Sequence, residues 1–439
     1  MNQLEKLFAT KRTENGDISY NTTGNNLLDI LFMTSYYEKH LDEVHIGTSD
    51  REKLFSMFIR DPRFGLGRRD LGRCLLGMSK VSAEDIVKCG RYDDLLLTGT
   101  EDTEQLFGYT DYMYHQAMNG NQLAKKWFPR LTSSNRELAK ALCMYFKITE
   151  KEYRKLIKVE TTEKQLTEKR TSEIDFERVP SLAMIKYYNR FLTGEDTKQR
   201  FQKYLDSVKK GEKKLNISTA NVYDIYRNRE KIDADLYFDK LEKIKISCIP
   251  ILDTSGSMFD GNDSIGKAMS IAHYLSKCST YCNGQLIGFS SNPHLIKIEE
   301  KNGREGYYSN FGNSNKYSRE LNSMYTGDCA NTDFGKVMKL LEKLEELPEY
   351  LVVLSDMEFD YGSNQSKKEL QKLWKEKGYT TKIVWWNFNS RNKTVPETDE
   401  MGNIYLSGYS PMLLKYLEAG FDGNMFLEQL LEEYKERIK

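Results

Sequence analysis

The 439-residue sequence predicts an α plus α/β fold: an irregular α-helical repeat over residues 1–240, then a doubly wound parallel sheet over residues 244–439. Two observations carry this. In the first part apolar residues recur at helical period between short turns, with few β-branched runs. From about residue 244, short and continuously apolar stretches alternate with helical ones, the pattern of strands covered on both faces by crossover helices.

Taken in order, Asn26–Phe32 puts Leu27, Leu28, Leu31 and Phe32 on one helical face. Arg51–Ile59 and Leu71–Met78 repeat the idea across a Gly65-Leu66-Gly67 break. Ser82 reads as an N-cap before acidic Glu84 and Asp85, and Thr149 with Glu152 reads as a capping box ahead of Tyr153, Leu156 and Ile157. Asn135–Phe146 carries Leu138, Ala141, Leu142, Tyr145 and Phe146. Such helices suggest stacked hairpins of the solenoid type, without a clean repeat. Beyond them, Ile244–Leu252 reads as a buried strand, followed by a helix over Ser264–Cys282 and a strand over Gln285–Ser290 with His294–Ile298 beside it. Then come a helix (Phe334–Leu344), a strand (Tyr350–Ser355), a helix (Lys367–Lys377), strands at Lys382–Phe388 and Asn403–Leu406, and terminal helices from Pro411.

Composition narrows the function. Aromatics at 12%, with 28 Tyr and 20 Phe, argue against disorder. No stretch approaches the roughly 18 uncharged apolar residues of a membrane span, and Glu5 beside a short apolar patch makes a poor secretory signal. Seven cysteines without a Cys-x-x-Cys pair do not resemble a disulfide framework, and the five histidines lack zinc-like spacing. A cytoplasmic, monomeric protein is expected. Net charge is zero, yet residues 121–220 hold 23 basic against 13 acidic residues, while residues 241–439 hold 24 against 28. The two parts therefore suit different partners.

Ligands of open α/β sheets bind beyond the carboxyl ends of the strands. After the first strand comes Asp253-Thr254-Ser255-Gly256-Ser257, after the Leu351–Leu354 strand comes Ser355-Asp356, and between them Asn331-Thr332-Asp333 opens a helix. Carboxylate and hydroxyl oxygens are hard donors, suited to Mg²⁺, Ca²⁺ or Mn²⁺ and not to Zn²⁺. Two carboxylates about 4 Å apart would repel by about 1 to 4 kcal/mol without a cation. Asp260, Asp263, Asp328, Asp333, Glu358 and Asp360 add to an acidic rim.

This constellation resembles the metal-ion-dependent adhesion site (MIDAS) of von Willebrand factor A domains, Asp-x-Ser-x-Ser with a distant Thr and a distant Asp. The resemblance maps onto Asp253, Ser255, Ser257, Thr332 and Asp356. It implies direct metal contact by the two serines and Thr332, action of Asp253 and Asp356 largely through water, and one open position for a partner's carboxylate. Met357 departs from the small residue many such domains have there.

The helical part carries Asp61-Pro62-Arg63-Phe64-Gly65-Leu66-Gly67-Arg68-Arg69-Asp70, Gly90-Arg91-Tyr92-Asp93-Asp94-Leu95-Leu96 and Ala124-Lys125-Lys126-Trp127-Phe128-Pro129-Arg130. With the A-like part behind it, the chain resembles the phage and plant family called domain of unknown function 2828. That family is similar in architecture to the Ro autoantigen, whose helical TROVE module joins a von Willebrand A domain. The resemblance implies RNA as partner, single-stranded or structured. Arg63, Arg68, Arg69 and Arg73 around the glycine break, with Lys125, Lys126 and Arg130 beside Trp127, are the candidate contacts, because basic groups neutralise phosphates and aromatics stack bases. Trp127 at helical spacing also reads as core, and the arginines could instead pair with Asp61, Asp70 or a neighbouring hairpin.

The expected function is a non-enzymatic, Ro-like RNA-binding protein with a divalent cation, Mg²⁺ first and Ca²⁺ or Mn²⁺ otherwise. The alternative is a cation-dependent protein-interaction module that grips a partner carboxylate without nucleic acid. Hydrolysis is disfavoured: no histidine belongs to the site, the ligand set lacks the second metal common in nucleases, and no Gly-x-x-x-x-Gly-Lys-Ser/Thr loop occurs.

Overall fold

The computed structural model describes residues 5, 8–217, 219–298, 315–324, 331–397, 402–423 and 425–439. Asp328 of the expected rim and residues 1–4, 6 and 7 of the amino-terminal stretch lie outside them. The helix-rich first part and the sheet after it appear in the expected order. The chain divides into two compact units, residues 1–40 with 180–432, and residues 41–179 with 433–439. These boundaries differ from a split at 240–244, because both flanks of the helical stretch pack with the sheet.

In the first unit β1 (Thr10–Arg12) and β2 (Ile18–Tyr20) form an antiparallel hairpin that helical periodicity did not reveal. The main sheet comprises β3 (Cys248–Asp253), β4 (Gln285–Phe289), β5 (Pro293–Lys297), β6 (Tyr350–Ser355), β7 (Lys382–Asn387) and β8 (Ile404–Ser407). Its order is β5-β4-β3-β6-β7-β8, parallel throughout except for β5, which returns antiparallel on β4. Every residue of β3 and of β6 is buried, as continuous apolar runs in a doubly covered sheet require. Pro250 is tolerated in β3 even though it lacks a donor, for the ladder to β4 begins only at Ile251.

The Ser264–Cys278 helix packs on β3 and, on another side, against the Val222–Asn228 helix. Approach there is so close that a Cβ on Gly266 would lie 2.5 Å from Tyr226 Cε1. Tyr223 donates to Asp263 at 3.0 Å, so residues 221–228 belong physically to the sheet unit. The Lys316–Ser323 helix, which periodicity also missed, donates its first two amides, Lys316 and Tyr317 N–H, to the Asp235 carboxylate at 3.2 and 2.8 Å. At the other edge the Asn26–Phe32 helix covers β8, with Phe32 edge-on to Tyr405 at 5.2 Å and Thr34 bonded to Ser407 at 2.5 Å. Asn25 caps that helix and Asp29 accepts from Thr22 and Thr23, which fixes its start.

In the second unit both capping boxes, Ser49 with Glu52 and Thr149 with Glu152, are reciprocal. After the Asp50–Arg60 helix the chain doubles back on it, Leu66 N–H bonding Phe58 O at 3.0 Å and Arg68 N–H bonding Ile59 O at 2.9 Å. Gly65 is required at that reversal: a Cβ would come within 1.9 Å of Phe58 O. The interior holds an ion network as well as apolar residues. Asp94, fully buried, pairs with Arg60 at 2.7 Å and Arg73 at 2.6 Å, and accepts Arg91 N–H at 2.7 Å. The six described cysteines are free thiols, and Cys89 is held protonated by burial. No described helix is long and apolar enough to cross a membrane.

Candidate metal centre and basic face

The parallel register of β3 and β6 pairs Leu252 with Leu354 and so sets Asp253 beside Ser355. Ser355 Oγ donates to Asp253 Oδ2 at 2.5 Å, and Ser255 N–H donates to Oδ1 at 2.9 Å. A short 3₁₀ turn at Gly256–Met258 then brings Ser257 Oγ to 3.1 Å from Ser255 Oγ. Asp356 follows directly on β6, one residue past Ser355. Thr332 is buried in a loop docked by Asp333 N–H on Ser290 O, just past β4, at 3.0 Å and by Asp360 N–H on Thr332 O at 2.9 Å. The loop after β3 thus bonds Asp253, Ser255 and Ser257 together, Arg391 bridges Ser257 O and Asp356 after β6, and Thr332 is held just past β4.

Electrostatics favours a cation here. Asp253 and Asp356 are both almost wholly buried. Burial raises both carboxyls above the usual range, and the charge of Asp356 raises Asp253 further. No group of three His, Cys, Asp or Glu side chains suited to a metal occurs among the described residues, so an ion held here would take hydroxyl as well as carboxylate oxygens. Two carboxylates with serine and threonine hydroxyls are such a set, and they fit a hard divalent ion.

Arg391 escaped sequence reasoning, and of Met357 only the residue type, not the backbone conformation, was legible. Arg391, four residues past β7, donates Nη2–H to Asp356 Oδ2 at 3.0 Å and to Ser257 O at 2.9 Å. It carries no motif, although the strand-end rule singles out its segment. Met357 is buried with φ at +68°, a left-handed conformation costing a non-glycine residue about 1 to 2 kcal/mol, and its N–H bonds Ser355 Oγ at 2.9 Å. The rim acids do structural work: Asp260 holds Asn389 at 2.8 Å, Asp333 caps the next helix, and Glu358 accepts Glu14 N–H at 2.8 Å.

The candidate phosphate contacts separate into different environments. Arg73 is committed inward: its Nε and Nη2 bond Asp94 at 2.6 Å and Asp93 at 2.9 Å, with 13% of the side chain exposed. This is the neighbouring-hairpin pairing weighed against phosphate contact. Arg63 lies near Asp61 at 3.5 Å and donates to the Lys88 carbonyl. Arg68, half-buried, precedes the helix that Arg69 opens, and Arg69 is exposed. Lys125 and Lys126 are half-buried and Arg130 is exposed. What does converge includes a residue not singled out, Arg91, whose guanidinium covers the Trp127 ring at 4.5 Å, with Lys126 at 5.7 Å from the same ring. Burial lowers the Arg91 pKa, and the charges of Arg60 and Arg69 nearby lower it further. Arg91, Lys126 and half-buried Trp127 therefore form one basic, aromatic face, while Arg69 lies 3.6 Å from Asp70, the pairing expected as its alternative.

The fold defines a class: a helix-rich part followed by a mostly parallel six-stranded sheet in one chain. Residues 115–235 match the family described as domain of unknown function (DUF2828), and residues 247–437 match domain of unknown function (DUF7788). It is 23% identical to the uncharacterized protein L728 of Acanthamoeba polyphaga mimivirus over 510 aligned positions, covering 96% of this chain and 87% of that one. It also aligns with the crystal structure of the Deinococcus radiodurans RO (RSR) protein at 10% identity and a TM-score of 0.49, covering 94% of this chain and 100% of the other.

Proposed function

We propose that this chain is a non-enzymatic, cytoplasmic RNA-binding protein whose sheet unit holds a divalent cation, Mg²⁺ in the first place, through Asp253, Ser255, Ser257, Thr332 and Asp356. The observation that carries the RNA reading is the Arg91–Trp127–Lys126 stack, with exposed Arg69 a further candidate contact. Cations neutralise phosphates there, and an indole already oriented by a guanidinium offers a surface for an unpaired base. Arg63, Arg68, Lys125 and Arg130 are the further candidates to guide the backbone. When bound, the cation supplies charge neutralisation and an open coordination position, and the chain's own residues orient around it.

Fluorescence anisotropy of labelled single-stranded RNA across a salt series tests this. Affinity is expected to fall with a log-log slope of about 0.7 per phosphate contacted. A flat response, or no binding at low salt, would remove the RNA reading.

A second reading, cation-dependent capture of a partner carboxylate without nucleic acid, is favoured by the buried Asp253–Asp356 pair. It predicts capture that resists nuclease and is lost with chelator or in Ser257→Ala.

A further inference from the structure

We infer that Arg391 is a tethered counter-charge of the cation site, sharing Asp356 with the divalent ion and yielding to it by moving onto Glu14 of the amino-terminal hairpin. This inference rests on the cation reading above and adds the residues that set its affinity.

The geometry around Arg391 has two halves. On one side its Nη2 holds Asp356 Oδ2 at 3.0 Å and Ser257 O at 2.9 Å, two residues of the cluster. On the other its Nη1 lies 3.9 Å from Glu14 Oε2, too long for a hydrogen bond and short enough for attraction. Its Nε is buried and has no hydrogen-bond partner among the described residues, so the guanidinium is incompletely satisfied where it stands. Nothing else on its segment needs to move, because Asn392 Nδ2 already bonds Glu14 Oε1 at 3.1 Å.

Glu14 is in turn a fixed receiver. It lies in the turn between β1 and β2, and that turn is fastened to the loop after β6. Thr13 Oγ1 bonds Phe359 O at 2.7 Å, Glu14 N–H bonds Glu358 Oε2 at 2.8 Å, and Asn15 Nδ2 bonds Glu358 O at 2.8 Å. The Glu14 side chain is 53% exposed, so it can accept a guanidinium without further desolvation.

Charge decides the direction. Asp253 and Asp356 bring two negative charges, and Arg391 leaves one of them unbalanced. A divalent ion balances both, and a guanidinium kept on Asp356 then repels it. Arg391 therefore competes with the ion, and Glu14 relieves that competition. Loss of the guanidinium is expected to tighten divalent-ion binding on the order of tenfold, and loss of the Glu14 charge to weaken it several-fold.

The test is calorimetric titration of Mn²⁺ into the full chain as wild type, Arg391→Gln, Glu14→Gln and the double variant, with circular dichroism confirming each fold. Arg391→Gln should bind on the order of tenfold more tightly, Glu14→Gln more weakly, and the double variant like Arg391→Gln, since Glu14 acts only through Arg391. Equal or weaker binding by Arg391→Gln would overturn the inference and make Arg391 a positioning group for Asp356. Unchanged binding by Glu14→Gln, an exposed hairpin position, would overturn the receiver half even if Arg391→Gln misfolded. Failure of wild type and variants alike to take up Mn²⁺ would instead overturn the cation reading itself.

Discussion

Replacement of Asp94 by alanine is expected to destabilise the helical unit by about 3 to 5 kcal/mol, the cost of leaving buried charges without their partner. Asp94 is wholly buried and serves three groups at once: Arg60 at 2.7 Å, Arg73 at 2.6 Å and the Arg91 N–H at 2.7 Å. Arg60 has only 3% of its side chain exposed, so in the variant it has no water to turn to. Asp93, at 2.9 Å from Arg73, can compensate that arginine alone. Urea unfolding followed by circular dichroism reads the change. Asp94→Asn keeps the shape and one acceptor oxygen and should cost less than alanine. A shift of under about 1 kcal/mol for alanine, the size of a surface salt bridge, would show that this network is not structural. The same substitution frees the backbone that sets Arg91 over Trp127, so RNA affinity should fall with stability.

The second large effect concerns Asp253. Asp253→Ala is expected to weaken Mn²⁺ binding on the order of 100-fold or more, given that even residues behind metal ligands contribute about 10- to 100-fold. Stability should respond with opposite signs in the two metal states. In chelator, the folded chain keeps two buried carboxylates side by side, and both carboxyls are raised. A carboxyl raised in the folded state contributes stability at low pH that is lost as pH rises past the ordinary carboxyl range. At pH 7 in chelator, Asp253→Asn should therefore melt above wild type. In millimolar Mg²⁺ the order should reverse, because the ion then binds and stabilises wild type alone. Thermal melts of both proteins in both buffers give the comparison. The same ranking in the two buffers would contradict a cation role for Asp253.

The sheet was legible because β3 and β6 are buried on both faces and so had to be written as unbroken apolar runs. The Asp253–Ser257 turn was legible for a related reason: parallel strands deliver the residues after them to one edge. What was illegible depends on partners far along the chain. Arg73 and Asp94 lie 21 positions apart, and nothing in a helical window assigns that arginine to a buried ion network. Arg91 and Trp127 belong to different helical hairpins and meet only in three dimensions. The β1 and β2 strands have three residues each, mostly exposed, too short for alternation to register. Arg391 occupies no motif, and its role follows from where β7 ends. The compact units divide elsewhere than at residue 240 because period reports an element's type, not which neighbour buries it. Phe32 against Tyr405 and Tyr223 against Asp263 decide that.

The most direct measurement is a titration of labelled single-stranded RNA with wild type and Trp127→Ala side by side at one low salt concentration. Removing one stacking platform is worth about 1 to 3 kcal/mol, so wild type should bind and the variant should bind roughly 5- to 150-fold more weakly while remaining folded by circular dichroism. Indistinguishable affinities, or a wild type that leaves the RNA free, would contradict the assignment of this face to nucleic acid.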